Sequence, residues 1–296
     1  MINSLMTIVE ETLRSQRSAW AEITERVSRI AVREMPPKGP KRILLFGLGS
    51  SHYVARLIAF SLVRDHNRTR VPVHAVSSMA IGTEITPCPG DWAFAFSHRG
   101  GSEPTRRALE ICDNSGADTF LICGKNAKPI SNAKYTIETV PLERIEPHTI
   151  AVTSAVCAAT NLLFGPKVME EWETLSKEQE LDLNILRDRA ALGPTIMLGE
   201  WEGEWLAREG ALKLMEMAKL PVRVFGTEEF FHGPRFSLKN EDRIWHMKVC
   251  GDQRQVEATN VIDVHPGLVG WVKALVELQW LALATSLNSV VDPDKV

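Results

Sequence analysis

The stretch Arg42-Ile43-Leu44-Leu45-Phe46-Gly47-Leu48-Gly49-Ser50-Ser51-His52 decides the fold. It begins with a short apolar run, which is typical of a strand buried on both faces of a parallel sheet. Small residues at 47–51 then form a turn, and apolar residues at helical spacing follow from 53 to 63. The stretch therefore predicts a strand, a turn and a helix in direct succession.

The same alternation continues along the chain. Further apolar runs predict strands at residues 71–76, 91–96, 119–123 and 135–140, and in the second half at 195–199, 222–225 and 242–249. Helical patterns are found at residues 104–115, 149–164, 205–219 and 270–287. Strands separated by helix-length segments imply parallel sheets flanked by helices, so we predict the α/β fold class.

Changes in composition divide the chain into four segments. An amphipathic pattern before the break Met35-Pro36-Pro37-Lys38-Gly39-Pro40 predicts an N-terminal helix within residues 1–36. Residues 37–167 are predicted to form a first α/β unit, the charged stretch 168–189 a connecting helix, and residues 190–296 a second unit. The second unit echoes the first, which suggests duplication. We expect it to be shortened, because no strand or helix is predicted between Cys250 and His265.

Composition narrows the function classes. The 296 residues carry a formal net charge of −3 with 44% hydrophobic and 24% charged residues, typical of a soluble globular protein. The weak negative charge argues against a nucleic-acid partner, which needs a basic face. Five cysteines without C-x-x-C spacing indicate reduced, mostly buried thiols. We see no signal peptide and no apolar run near the ~20 residues of a membrane helix, so we predict a cytoplasmic protein without a membrane partner.

The turn at residues 47–52 has the chemistry of a phosphate site. Ligands of parallel α/β sheets bind beyond the carboxyl ends of the strands. Gly49 allows close approach of the backbone, Ser50 and Ser51 add hydroxyl donors, and N–H groups at a helix start favour an anion. The alternative is that the glycines serve only the tight packing of the turn and bind no ligand. His52 occupies the third glycine position of the dinucleotide pattern, which disfavours NAD, and we predict no cofactor and no metal site.

A second turn, at residues 97–105, follows another buried strand. Ser97, Ser102 and Thr105 surround a diglycine, and the guanidinium of Arg99 could bind a phosphate through two hydrogen bonds. Ser102 could instead cap the following helix, with Pro104 in its first turn. Capping and phosphate binding use the same N–H groups, so both interpretations can hold together.

The helical pattern at 205–219 carries a polar stripe. Glu209, Lys213 and Glu216 are spaced i, i+4 and i+7 and therefore share one face. A surface Glu–Lys pair is the simplest interpretation. However, apolar residues cover most of the remaining circumference, so the helix is expected to be largely buried, and a buried charged stripe requires a cleft or a partner. The segment Gly226-Thr227-Glu228-Glu229-Phe230-Phe231-His232-Gly233-Pro234 follows the next strand and supplies a histidine.

Together the two hydroxyl-rich turns resemble those of the SIS (sugar isomerase) domain, whose loops read G-[ST]-S and S-x-S-G-x-[ST]-x-[ED]-T. Here Arg99 replaces the usual second serine, and the S-H-R-G form resembles a bacterial and archaeal SIS subgroup of poorly defined substrate. Residues 148–154 resemble the substrate-side segment before the last helix of that domain, so the resemblance implies that Thr153 and Ser154 bind substrate.

The helix stripe and the histidine segment resemble A-L-E-G-A-L-K-L-K-E and G-E-L-K-H-G-P of the isomerase half of glucosamine-6-phosphate synthase and of related aminosugar-phosphate deaminases. The resemblance covers roughly residues 40–296 and implies two SIS-type units, the second shortened. It implies that Glu216 is the general base that moves a proton between C1 and C2 through an enediol. It further implies that His232 opens the sugar ring in the site of a neighbouring subunit, and that Glu209 and Lys213 are the supporting pair.

Several features depart from these enzymes. The family turn G-R-G-x-x-Y-P is replaced by Gly199-Glu200-Trp201-Glu202-Gly203-Glu204-Trp205, Ala155 lies where the synthases often have a lysine, and neither a glutaminase domain nor a lysine-bearing C-terminal tail is found. Glutamine-dependent synthesis is therefore not expected of this chain alone.

Three functions remain open. We predict a phosphosugar isomerase or aminosugar-phosphate deaminase acting on a hexose or hexosamine 6-phosphate, with Glu216, His232 and Lys213 as catalytic residues and a homodimer or higher homo-oligomer as the assembly. The alternative is a non-catalytic sensor that binds the same sugar phosphates, favoured by the altered second turn and the missing tail. A scaffold that dimerises through an apolar last helix bearing Trp271 and Trp280 is the third; that helix could equally be ordinary core.

Overall fold

The structure is a computed structural model and describes residues 6–33, 35–64, 70–128 and 133–295. Its first sheet has the strand order β2-β1-β3-β4-β5, with all neighbours parallel. The strands are β1 Arg42–Gly47, β2 Val73–Ser77, β3 Asp91–Phe96, β4 Asp118–Lys125 and β5 Tyr135–Pro141. The associated helices are α1 Ile8–Arg33, α2 Ser50–Arg64, α3 Glu103–Asn114, α4 Ile150–Phe164 and α5 Pro166–Ser176, with a 3₁₀ turn at Ser78–Ala80.

The second sheet has the order β7-β6-β8-β9 and is also parallel. Its strands are β6 Thr195–Gly199, β7 Val222–Gly226, β8 Arg243–Val249 and β9 Asn260–Val264. The helices of this part are α6 Leu183–Asp188, α7 Glu202–Ala218, α8 Thr227–Phe231 and α9 Leu268–Asn288, with a 3₁₀ turn at Pro234–Ser237. The predicted α/β class is confirmed.

The described residues form two compact units. Those within 16–143 and 150–177 make the N-terminal unit, which holds the first sheet, and those within 1–15, 144–149 and 178–296 make the C-terminal unit, which holds the second. The unit boundaries fall inside α1, on either side of residues 144–149, and at residues 177 and 178 within the predicted connecting segment. The predicted division into a separate helix, a first unit and a second unit stays a prediction.

Buried strands explain why the first sheet was readable from sequence. Leu44, Leu45 and Phe46 of β1 are fully buried, as expected of a strand covered on both faces. Phe94 of β3 stacks on Phe120 of β4 with ring centroids 4.3 Å apart, which anchors the centre of the sheet.

Two sequence predictions were wrong in the second half. Strand β9 lies in the region predicted to lack one; its residues alternate between buried and exposed, so Asn260 and Asp263 interrupt the apolar run by which buried strands are recognised. The single connecting helix is two helices, α5 and α6. Helix α6 starts separately because the carboxylate of Asp182 accepts the backbone N–H of Asn184 at 2.8 Å.

Helix α9 corrects the expectation about apolar length. Among the described residues it is the one helix that is long and apolar enough to cross a membrane by length and composition, and 83% of its most apolar window is buried inside the protein, as in a core helix. The cysteines also differ in part from expectation: all five are free, but Cys88 and Cys250 are exposed. Burial raises the pKa of Cys112 and Cys157 to about 12.

Candidate functional site

The two predicted phosphate-type turns lie side by side at one edge of the first sheet. Strands β1 and β3 are parallel neighbours, with Phe46 opposite Ala95, so the turns that follow them emerge about 5 Å apart. The strand order reverses between β1 and β3, and ligands of open α/β sheets bind at such a switch point. The structure therefore brings together residues 49–51 and 97–105 within the N-terminal unit.

The first turn is shaped by its glycines. Gly49 has a φ of +54°, a left-handed conformation that glycine adopts without strain, and it is exposed. A Cβ on Gly47 would lie 2.5 Å from the Cβ of Ser51, so the chain can make this close turn only with glycine there. Ser50 and Ser51 are half-buried in the first turn of α2, where the N–H groups of Ser51 and His52 donate to the carbonyls of Leu48 and Gly49 at 3.1 and 2.9 Å.

The second turn divides its predicted residues between two tasks. Arg99 is exposed, and Ser97 is held at the end of β3 by a hydrogen bond from its backbone N–H to Ile122. Thr105 is buried; its hydroxyl lies 3.0 Å from Ser78 Oγ and donates to Ser102 Oγ at 3.4 Å. Thr105 thus orients Ser102 rather than facing a ligand.

Ser102 occupies the predicted N-cap position of α3, but its side chain does not cap the helix. Ser102 stands at the N-cap of α3 with an extended backbone, and Pro104 lies in the first turn. Within the part of the chain that the structure describes, its side chain makes no capping hydrogen bond. The Ser102 hydroxyl thus accepts from the Thr105 side chain but caps no backbone N–H of the first turn of α3.

Sequence reasoning missed His98 and Glu143. His98 Nε2 accepts the backbone N–H of Glu143 at 3.0 Å, and the carboxylate of Glu143 in turn accepts the backbone N–H of Ala151 in the first turn of α4 at 3.0 Å. Burial, together with the nearby Arg99 guanidinium, lowers the pKa of His98 to about 4, so the ring is neutral at pH 7 and can serve as an acceptor. The one sequence signal that included His98 was the S-H-R-G pattern at residues 97–100, and it did not indicate what the histidine does.

The start of α4 separates the two residues predicted there. Thr153 is fully buried, donates to Gln16 Oε1 at 2.8 Å and accepts from Trp20 Nε1 at 3.1 Å. Its hydroxyl therefore fastens α1 to α4, and the geometry does not offer it to a substrate. The buried Ser154 hydroxyl has no hydrogen-bond partner among the described residues, which keeps it available as a polar group in this helix.

The polar stripe of α7 forms a buried ion-pair network in the C-terminal unit. Lys213 is only 1% exposed, and its ammonium lies 2.7 Å from Glu216 Oε2 and 3.4 Å from Glu209 Oε1. Glu209 is equally buried, whereas the Glu216 side chain is 23% exposed. A surface pair is thus excluded, and the one accessible carboxylate of the stripe is that of Glu216.

Glu216 and His232 lie at opposite edges of their own sheet. Glu216 is near the end of α7, about 21 Å along the helix axis from Glu202. The chain then turns at Lys219 and crosses the sheet as β7, roughly 16 Å long, before α8 ends next to His232. His232 is exposed. Within one C-terminal unit the two predicted catalytic residues are therefore not brought together.

Fold and turns define a class: a parallel α/β protein with two hydroxyl-bearing turns at the switch point of its first sheet. Residues 38–164 match the family model of the SIS domain, so this part of the chain is a SIS domain. The match ends where α4 ends, and a second SIS unit stays a prediction.

Relatives agree with this assignment. Glutamine–fructose-6-phosphate aminotransferase [isomerizing] of Mycolicibacterium paratuberculosis is 23% identical over 67% of this chain. The chain spans about a third (35%) of that relative. The SIS domain of the present chain is homologous to the isomerase domain of that aminotransferase.

Two solved structures share the fold over nearly the whole chain. Glucosamine-6-phosphate deaminase from Thermotoga maritima has a TM-score of 0.75 at 16% identity, covering 98% of this chain and 97% of its own. Tagatose-6-phosphate ketose/aldose isomerase from Escherichia coli has a TM-score of 0.75 at 18% identity, covering 98% and 96%. At these identities the likeness shows the fold.

Proposed function

We propose that the protein is a phosphosugar isomerase or an aminosugar-phosphate deaminase that acts on a hexose or hexosamine 6-phosphate. The observation that carries this proposal is the pair of adjacent turns at the carboxyl edge of β1 and β3. The Ser50, Ser51 and Ser102 hydroxyls and the Arg99 guanidinium suit a dianionic phosphate.

In the proposed reaction Glu216 is the general base. In an open-chain aldose a proton leaves C2, an enediol or enolamine forms, and the proton returns at C1; a ketose follows the reverse course. In a deaminase the resulting C2 imine is then hydrolysed, so that water supplies the ketone oxygen as the C–N bond breaks and ammonia leaves. The Lys213 ammonium lies 2.7 Å from Glu216 Oε2 and holds that carboxylate in place. Glu209 holds Lys213 from its other side.

We further propose that the protein works as a homodimer or higher homo-oligomer, with His232 opening the sugar ring in a neighbouring chain's site. The resemblance to the synthase family suggests this arrangement. The separation of Glu216 and His232 across one sheet supports it, since a single C-terminal unit does not join them.

A non-catalytic sugar-phosphate sensor is the second candidate. One observation favours it: the Thr153 hydroxyl, in the segment that matches the substrate side of the SIS domain, is occupied by Gln16 and Trp20. A sensor would keep the phosphate turns and lose the chemistry.

The deciding experiment is a panel assay on purified protein. Isomerisation and ammonia release are followed with glucose, fructose, tagatose and glucosamine 6-phosphates, and binding is measured in parallel by calorimetry. Turnover of any of these supports the enzyme. Binding without turnover supports the sensor, and no heat with any sugar phosphate up to millimolar concentration rejects both.

A further inference from the structure

We infer that His98 is a positioning residue that fixes the second phosphate turn to the start of helix α4 through Glu143. The inference deepens the proposed function, because it takes a sugar phosphate as the ligand of that turn. It concerns the binding of the phosphate group and not the proton transfer.

His98 is held by hydrogen bonds at both its side chain and its backbone. The His98 ring reaches from the turn to the backbone of Glu143, whose N–H donates to Nε2 at 3.0 Å. The carbonyl of His98 also accepts the N–H of Gly124 on β4 at 2.9 Å. Both ends of the residue are therefore fastened, one to β4 and one to the segment after β5.

The His98 ring lies in the space left by the missing side chain of Gly124. A Cβ on Gly124 would lie 2.7 Å from Cε1 and 2.9 Å from Nδ1 of His98. The imidazole thus occupies space beside the backbone of β4 that a side chain at position 124 would need. Such a close fit restricts the ring to the orientation in which Nε2 faces Glu143.

Glu143 connects His98 to the start of α4. Glu143 is buried, and its carboxylate accepts the N–H of Ala151, one of the helix-start donors that lack a partner within α4. A carboxylate at a helix start is also favoured by the helix dipole. Because the same residue gives its N–H to His98 and its carboxylate to Ala151, the turn at residues 97–105 and the start of α4 are positioned together.

Charge explains why a histidine serves here. Arg99 follows directly and is the cation that this turn offers to a phosphate. A neutral imidazole accepts a hydrogen bond without placing a second positive charge beside that guanidinium. Glutamine could supply the same acceptor through Oε1, whereas asparagine is one methylene too short and phenylalanine has no acceptor.

The test compares His98→Gln, His98→Asn and His98→Phe with the unchanged protein. The affinity for fructose 6-phosphate and for inorganic phosphate is measured by calorimetry, and hydrogen exchange of the Glu143 and Ala151 amides is measured without ligand. We expect Kd to rise about tenfold in the Asn and Phe variants and to stay within about twofold in the Gln variant. Where turnover is found, KM should rise with kcat nearly unchanged, because His98 does not touch the reacting atoms.

Controls separate positioning from folding. His265 is exposed, and His265→Phe should change neither affinity nor exchange. Glu143→Ala keeps the N–H that His98 accepts but removes the cap of α4; it should speed exchange at Ala151 and weaken phosphate binding even if His98→Phe fails to fold.

Equal affinity in all three His98 variants, with unchanged exchange at Glu143 and Ala151, would overturn the inference. If the unchanged protein binds no sugar phosphate, the proposed function fails, and amide exchange still decides the link: fast exchange in the Asn and Phe variants with rescue by Gln supports it, and equal exchange overturns it.

Discussion

Gly49 and Trp201 hold the same place in the two sheets. Each stands directly before the helix that follows the first strand of its unit, and each has a left-handed φ, +54° for Gly49 and +51° for Trp201. The strand ends also match, since a Cβ on Gly47 or on Gly199 would lie only 2.5 or 2.3 Å from the atoms of the following helix. This repeated turn supports the proposal that the C-terminal unit is a second SIS-type unit.

The two turns differ in the side chains that they carry. Where the first turn continues with Ser50 and Ser51, the second continues with Glu202 and Gly203. A carboxylate at this helix start would repel a phosphate, which is why the proposed phosphate site is placed at the first turn and not at the second.

Trp201 makes a backbone prediction possible. Its φ of +51° and ψ of −120° strain an L-residue, whereas glycine adopts them freely. Trp201→Gly and Trp201→Ala both remove the indole, but only alanine keeps the strain. We expect the Gly variant to be more stable than the Ala variant by about 1 kcal/mol, measured by urea unfolding. The reverse order, usual within helices, would show that the turn is not strained.

The buried ammonium of Lys213 is expected to be essential for folding. Lys213→Met leaves the buried Glu209 carboxylate without its cation, and the free energy of unfolding should fall by about 3–5 kcal/mol. Lys273→Met is the matched control, because Lys273 forms a half-exposed pair with Glu178 and should cost no more than about 1 kcal/mol. Equal losses in the two variants would contradict a buried network in α7.

Glu216→Gln tests the base. The variant keeps the shape of the side chain and removes the proton acceptor, so turnover of the best substrate should fall about 10²–10⁴-fold while the calorimetric Kd stays nearly constant. Glu204→Gln on the same helix is the control, since Glu204 pairs with Arg208 away from the stripe. Normal turnover in Glu216→Gln would show that another group takes the proton.

The parts of the fold that the sequence predicted are those with one dominant physical signal. β1 and β3 are buried on both faces and read as uninterrupted apolar runs, and the stripe of α7 follows from 3.6-residue spacing. β9 could not be found that way, because two of its five side chains face solvent. The start of α6 depends on one side-chain cap, which a charged stretch does not reveal.

Ser50, Ser51 and Arg99 could be nominated from the sequence because their residue types carry the chemistry, and their roles stay predictions. Sequence reasoning reached less far where contacts join residues distant in the chain. Thr153 looks like a ligand hydroxyl until Gln16 and Trp20 are seen to occupy it, and His98 becomes informative only with Glu143 beside it. Such long-range pairs leave no periodic trace in a single sequence.

His98 also predicts a pH dependence of stability. Its pKa is about 4 in the folded protein against an ordinary value of 6.5, so the unfolded chain binds more protons between these values. Stability contributed by the neutral ring is full above pH 6.5 and is lost as the pH falls toward 4, by up to about 3 kcal/mol. The charged group that acts on the ring is Arg99, while Glu143 meets the ring through its backbone N–H.

The measurement is urea unfolding between pH 7 and pH 4.5 in the unchanged protein and in His98→Gln. The difference in unfolding free energy between the two should shrink as the pH falls, because glutamine does not titrate while the histidine loses its contribution. Parallel curves over that range would mean that His98 titrates normally.

The opposite placement of Glu216 and His232 leads to a subunit-mixing prediction. If His232 serves a neighbouring chain, Glu216→Gln and His232→Ala are each inactive for different reasons. Denaturing and refolding them together in equal amounts forms hybrids in which one site combines an intact Glu216 from one chain with an intact His232 from the other. Half of random dimers are hybrids with one restored site of two, so activity should recover to about a quarter of the unchanged protein.

Two controls make the mixing decisive. Refolding either variant alone should give no recovery, and mixing Glu216→Gln with the double variant Glu216→Gln/His232→Ala should also give none, because no chain then supplies the base. Activity that stays at the background level in the equal mixture, with hybrid dimers confirmed by native mass spectrometry, would place His232 and Glu216 of one chain in the same site. The roughly 16 Å crossing of β7 that separates them would then require α8 to move on ligand binding.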